Sequence, residues 1–285
     1  REYIEFVDGG TIGLDWVEEG PILPPTAPII VVLPTLTGSV STCSNFCLRA
    51  SQRGYRCIVF NKRGHGNTIL KTPKLQGFGE TADLREAVLH IHKTYPQARM
   101  MMTGASAGSG LLVSYLGDYE DHAIVCCGVT VAAGYDMVDL FSNCLPLVYE
   151  VILLYHLKQI LTQNRQMLES AVDFKTAMSA WSFTKYDGCV YAKFGGQSSA
   201  LEYWKQNNPM RALNKIRVPI LGVNSLDDPV CVKENIPFEL ISQDDNMVLL
   251  TINKGGHCGY LDSDLESKWL DNIILEYFDV ILKYL

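Results

Sequence analysis

The chain has 285 residues, of which 47% are apolar and 19% charged, and a formal net charge of -7. Those proportions belong to a globular protein long enough to bury a large core, and they exclude a disordered or fibrous chain. The acidic balance, with no dense Lys/Arg block, excludes nucleic acid as an expected partner.

In chain order, "EYIEFV" and "TIGLDWV" flank Asp8-Gly9-Gly10, which predicts a hairpin. After a proline-rich stretch, "IIVVLP" is a continuous β-branched run of the kind buried on both faces of a parallel sheet. A helical stretch near 41–53, the strand "YRCIVF" and the loop "RGHGN" follow. "TADLREAVLHIHKTYP" predicts a helix with Pro96 just past its end. "ARMMMT", "AGSGLLVSYLG" and "AIVCCGVTVAA" then read as strand, helix and strand.

The alternation breaks between about 136 and 208, where the pattern is helical and an insertion capping one end of the sheet is expected. It resumes with "VPILGVN" and "NMVLLTI" and closes on the helical "LESKWLDNIILEYFDVILKYL". Strands alternating with helices predict a single α/β domain over 1–285, with a mostly parallel sheet flanked by helices and a helical cap at 136–208.

Nine cysteines, an odd number, fall partly inside apolar runs such as "RCIVF" and "AIVCCGV", where a free thiol acts as a small hydrophobe. Cys43 and Cys47 lack a partner pair at zinc-site spacing, so neither metal nor cofactor is expected, and the cysteines point to a reducing setting. No run of about 18 uninterrupted apolar residues occurs. Because the chain opens at Arg1 directly in a strand-like segment, upstream sequence is expected to precede it.

The chemistry centres on Gly104-Ala105-Ser106-Ala107-Gly108. This G-x-S-x-G sits between a predicted strand and a predicted helix, the context of a nucleophile elbow. A serine on so sharp a turn needs neighbours without bulk, and the helix beyond directs its positive end at developing oxyanion charge. The hydroxyl also needs a base and an acid, in the order Ser, Asp, His. "LGVNSLDDPVC" places Asp227 and Asp228 after one strand, and "INKGGHCGYLD" places His257 after the last. Asp228 is preferred as the acid, with Asp227 the alternative; His65 in "RGHGN" is the rival base. The expected oxyanion donors are the main-chain N–H groups of Ala107 and, from the loop "PTLTGS", of Leu36.

The motifs "VVLPTLTGS", "GYRCIVFNKRGHGN", "LKTP", "ADLREAVLHIHKTYP", "TGASAG", "VPILGVNSLDDPV" and "GGHCGYLD" carry a resemblance. In this order they are similar to one branch of the α/β-hydrolases, the α/β-hydrolase-domain (ABHD) lipases of animals and the yeast ethyl-ester synthase/esterases. The resemblance implies an α/β-hydrolase fold, a Ser106, Asp228, His257 triad and action on lipid or small ester substrates. Relatives often carry an N-terminal membrane anchor, so association with a membrane surface through a preceding segment is implied, a cytoplasmic protein being the alternative. The chain departs from the branch at Thr35, Ala107 and Ser109, where relatives favour a glycine, a bulky residue and a second glycine. The branch's H-x4-D pattern is present as His257 to Asp262 and is read as incidental. An acyltransferase with an alcohol acceptor, or a noncatalytic ligand receptor on the same fold, is the competing functional reading. Oligomeric state is not legible.

Overall fold

A computed structural model describes residues 1–17, 19, 22–261 and 268–284. Among the described residues eight strands form one sheet: β1 (Glu2–Glu5), β2 (Thr11–Val17), β3 (Ile29–Leu33), β4 (Arg56–Asn61), β5 (Met100–Ala105), β6 (Cys127–Val131), β7 (Ile220–Ser225) and β8 (Met247–Ile252). Their order across the sheet is β1-β2-β4-β3-β5-β6-β7-β8. The β1–β2 hairpin is antiparallel, β2 runs antiparallel to β4, and every later pairing is parallel. The predicted hairpin turn forms because Asp8 Oδ1 accepts the Gly10 N–H and Gly9 supplies φ +78°.

All five residues of β3 are buried, as a parallel strand covered on both faces requires. Their alternation divides the core. Ile29, Val31 and Leu33 face α2 (Ala82–Thr94) and α3 (Ala107–Tyr119), while Ile30 and Val32 face α1 (Val40–Gln52) and the helix Lys268–Tyr284. Cys47, Cys57 and Cys127 are buried in the second of these layers, and all nine thiols are free. Near 41–53 the expected helix is α1. The predicted closing helix is described from Lys268 onward; its first three residues, with Asp262 of the H-x4-D pattern, lie outside the described residues.

Residues 136–208 hold no strand and build a third core of their own. The long helix Leu147–Gln163 contributes Leu154, Leu157 and Leu161, which meet Phe183, Tyr203 and Trp204 from shorter helices. "LESAVDFKTAMSAW" is not one helix: Asp173 caps a new start at Phe174 by accepting the Thr176 N–H, so the chain turns there. This unit is joined to the sheet domain through Leu70, Leu75 and Phe78 from the long connection after β4. That connection is held by Arg63, whose buried guanidinium pairs with Asp83 and Asp8. The sheet's strand order reverses about β3, and in such sheets the crevice for a ligand lies beyond the strands' carboxyl ends.

Candidate active site

Ser106 sits where β5 turns into α3, with φ +53° and ψ -117°, a conformation an L-residue adopts only under constraint. The constraint is visible on both sides. A Cβ at position 104 would lie 2.3 Å from the Gly108 carbonyl oxygen, and one at 108 would lie 2.1 Å from that of Leu33. Only glycine lets the strand end, the first turn of α3 and the end of β3 approach so closely. The Ser106 N–H donates to Val131 O at 2.8 Å, tying the elbow to β6.

Ser109, the departure from the paired glycines of similar chains, is a second brace. Its fully buried hydroxyl lies 2.7 Å from the Gly104 carbonyl and 2.9 Å from that of Val131, and it accepts the Val131 N–H at 3.0 Å. No sequence signal announces this role, because the residue is defined by what β6 places opposite it. Ser109→Ala leaves Val131 its pairing with β5 but removes the hydroxyl's bonds to both carbonyls, and is expected to cost about 0.5–1.5 kcal/mol of stability. Urea unfolding checks this, as a lower midpoint at an unchanged slope.

Three residues from three strand ends meet in a hydrogen-bonded line. His257 Nε2 is 2.9 Å from Ser106 Oγ, and His257 Nδ1 is 2.9 and 3.1 Å from the two Asp228 carboxylate oxygens. Asp228 is 3% exposed, and its Oδ1 also accepts the N–H groups of Val230 at 2.8 Å and Cys231 at 2.9 Å. Burial disfavours the imidazolium of His257, but the hydrogen bonds to Asp228, Cys231 and Cys258 outweigh it and hold the pKa above its ordinary 6.5.

The two adjacent acids do different things. Asp227 turns its carboxylate to the His257 loop's main chain, accepting the N–H groups of Gly255 and Gly256 at 2.9 Å each, and it also accepts the Ser225 hydroxyl. The Ser225 hydroxyl and the two glycine N–H groups hold it below the usual carboxylate range. It therefore fastens the loop carrying the histidine to the loop carrying Asp228. A compact backbone completes that fastening: Gly256, Cys258 and Tyr260 all have positive φ, and the Tyr260 hydroxyl donates to Val223 O at 3.2 Å.

His65 lies elsewhere. It is buried with Nδ1 2.9 Å from Arg63 O, and burial together with the nearby Lys62 charge pulls its pKa down to about 3. It lines a cavity of only ≈ 10 Å³ with Pro34, Thr35 and Gly38 of the loop expected to hold the Leu36 donor and with Ala107 and Gly108 of α3. That cavity records how closely the 34–38 loop approaches the first turn of α3, where Ala107 lies. The Leu36 side chain turns outward from this loop onto the core of the 136–208 unit. A larger cavity, ≈ 290 Å³, is bounded by Phe46, Ala105, Val131, Leu270 and Ile274 together with the polar Asn45, Arg49 and Asp271.

The profile of the alpha/beta hydrolase fold family matches residues 28–264. The chain belongs to that family. This α/β-hydrolase is 31% identical to human Protein ABHD15 over 299 residues, which takes in all of this chain and 63% of that protein. It is 28% identical to human Phospholipase ABHD3, covering all of this chain and 72% of the relative. Mouse Monoacylglycerol lipase ABHD2 is also 28% identical, over 82% of this chain and 61% of its own length. The chain thus spans roughly two thirds of the curated ABHD proteins it matches. Among solved structures, the esterase from Exiguobacterium antarcticum superposes with a TM-score of 0.61 at 17% identity, covering 96% of this chain and 98% of that one. The mouse alpha/beta hydrolase domain-containing protein 10 gives 0.60 at 12% identity, over 98% of each chain. At such identities the likeness is one of fold.

Proposed function

We propose that this α/β-hydrolase is a serine hydrolase that cleaves carboxylic ester bonds of lipids through an acyl-enzyme. The observation that carries the reading is the Ser106–His257–Asp228 line on a strained strand-to-helix elbow. In the first half-reaction Ser106 Oγ attacks the ester carbonyl while His257 Nε2 takes its proton. Asp228 holds the imidazole in the tautomer with hydrogen on Nδ1 and stabilises the imidazolium as it forms. Main-chain N–H groups of Ala107 and Leu36 receive the developing oxyanion, assisted by the positive end of α3. His257 returns the proton to the leaving alcohol, and water, deprotonated by the same histidine, releases the acid. The ≈ 290 Å³ cavity, lined by Gly104 and Ala105 of the elbow, takes the acyl chain; Phe46, Leu270 and Ile274 give it an apolar side alongside polar groups that include the Arg49–Asp271 pair, and its size is near the lower limit for ligand pockets. That ABHD3 is named a phospholipase and ABHD2 a monoacylglycerol lipase supports a lipid ester as the substrate class.

The test is reaction with a fluorophosphonate followed by mass spectrometry of the digested protein. An adduct on Ser106 is expected; folded protein that stays unlabelled would refute the reading. The pH profile gives a second check. Protonated His257 accepts no proton from Ser106, and its pKa is raised, so activity falls as pH drops through a value above 6.5. The acid limb of kcat/KM is therefore expected to have its midpoint above 6.5, and a midpoint below it would contradict the role given to Asp228.

The 136–208 unit is proposed as a cap that meets the lipid surface. No single described helix is long and apolar enough to cross a membrane. On the helix Leu147–Gln163, however, Leu147, Val148, Ile152 and Tyr155 are exposed, and Trp181 alongside is 71% exposed. Lys158 lies over the Trp181 ring at 5.5 Å and donates to Ala180 O, which fixes the tryptophan next to the helix. An apolar patch bearing Tyr and Trp suits the boundary between headgroups and acyl chains. Ile152→Ser combined with Trp181→Ser removes two insertable side chains, each worth about 1.5–3 kcal/mol when buried. Co-sedimentation with phospholipid vesicles is expected to fall at least about tenfold, with hydrolysis of a water-soluble ester unchanged.

A further inference from the structure

One thiol beside the triad hydrogen-bonds to His257 but takes no part in the bond-making steps above. Cys231 is 3% exposed, and one ligand atom each from Asp228, Cys231 and His257 lie within 4.8 Å of one another. Asp228 is held without the sulfur, by the main-chain N–H groups of Val230 and Cys231 and by the imidazole. Carboxylate, thiolate and imidazole are together a donor set of the kind that binds zinc, a borderline-soft ion satisfied by mixed oxygen, sulfur and nitrogen ligands. Cys43 and Cys47 draw attention in the sequence by their spacing, whereas these three ligands come from two loops, after β7 and after β8, and carry no spacing signature.

We propose that Asp228, Cys231 and His257 form an inhibitory site for Zn²⁺, which occupies the Nδ1 edge of the histidine and switches the catalytic base off. The edge follows from the geometry, because Nε2 faces Ser106 and Nδ1 faces Asp228. On binding, the Cys231 thiol gives its proton to solvent and coordinates as thiolate. The His257 proton moves from Nδ1 to Nε2, Nδ1 donates its lone pair to the metal, and a carboxylate oxygen of Asp228 leaves the imidazole for the ion. Water fills the fourth position of the tetrahedron. The histidine then presents N–H to Ser106 Oγ, so it has no lone pair with which to take the serine's proton. No oxidant or reductant is involved, and chelation reverses every step.

Metal binding is read independently of activity, while the inhibitory half rests on the proposed triad. The first arm titrates Co²⁺ into metal-free protein and follows the near-ultraviolet band that thiolate ligation gives this ion, in the unaltered chain, in Cys231→Ala and in Cys258→Ala. A band lost in Cys231→Ala and kept in Cys258→Ala is expected. No band in the unaltered chain, or an equal band in Cys231→Ala, overturns the site. The second arm measures fluorophosphonate labelling against Zn²⁺ concentration, with chelator as the reversal. Labelling of metal-free Cys231→Ala reports that the variant is folded, since its main-chain N–H to Asp228 is retained. The unaltered chain should lose labelling with Zn²⁺ and regain it with chelator, and Cys231→Ala should need at least about tenfold more zinc. Equal zinc sensitivity in the two proteins overturns the inhibitory role. Absence of labelling in every metal-free sample refutes the hydrolase reading instead, and leaves the cobalt arm to decide the metal site.

Discussion

Ser106→Gly is expected to abolish ester hydrolysis and, at the same time, to leave the protein more stable than Ser106→Ala. The loss of activity follows from the nucleophile. With no hydroxyl there is no acyl-enzyme, and kcat should fall by about 10⁵-fold or more, to what the oxyanion donors and binding alone provide. The stability difference follows from the backbone. At φ +53° and ψ -117° a residue with a Cβ is strained, and alanine keeps the strain while glycine relieves it. Such strain is worth about 1–3 kcal/mol, and glycine returns about 0.5–1 kcal/mol of it through the greater freedom of its unfolded chain. The expected net is therefore a glycine variant more stable than the alanine variant by about 1 kcal/mol. Paired urea titrations of the two variants measure it. A glycine variant less stable than the alanine variant by about 0.5–1 kcal/mol would mean that the elbow is unstrained.

The second large effect is expected for Asp228→Asn. The asparagine carbonyl can still accept the Val230 and Cys231 N–H groups, so the loop after β7 should keep its shape. Its amide nitrogen then faces His257 and donates to Nδ1. That fixes the imidazole with its hydrogen on Nε2, pointing at Ser106, and the base is lost through tautomer alone. A fall in kcat of about 10⁴-fold with KM nearly unchanged is expected, and the residual activity should lose the acid limb assigned to His257. Asp227→Asn provides the contrast. Its oxygen can still hold the Gly255 and Gly256 N–H groups, so only a small loss is expected. A large fall in Asp227→Asn with little change in Asp228→Asn would reverse the roles of the two acids.

Much of the fold was legible because it rests on local regularities. The all-apolar "IIVVLP" could satisfy its burial only inside a parallel sheet, and the strand–helix alternation fixed the class. Gly104 and Gly108 were readable for a similar reason: a turn that tight excludes side chains, and exclusion leaves a mark in the sequence. The order of a serine, an acidic pair and a histidine at strand ends could be read as well.

What the sequence left open depended on direction and distance. Asp227 and Asp228 are neighbours of the same type, and successive residues in a loop can point opposite ways; only the tertiary structure turned one to His257 and the other to the Gly255 and Gly256 main chain. His65 and His257 both follow strands in glycine-containing loops, yet one is buried against the Arg63 carbonyl and the other is brought to 2.9 Å from Ser106. Ser109 looked like a lapse from a glycine pattern until β6 placed Val131 against it. The sequence by itself determined which elements form and which residue types reach the sheet's carboxyl edge, because propensity, periodicity and steric exclusion act between near neighbours. Which of those residues touch was decided only by the packing of segments 22 to 151 positions apart, a physical constraint that no local pattern encodes.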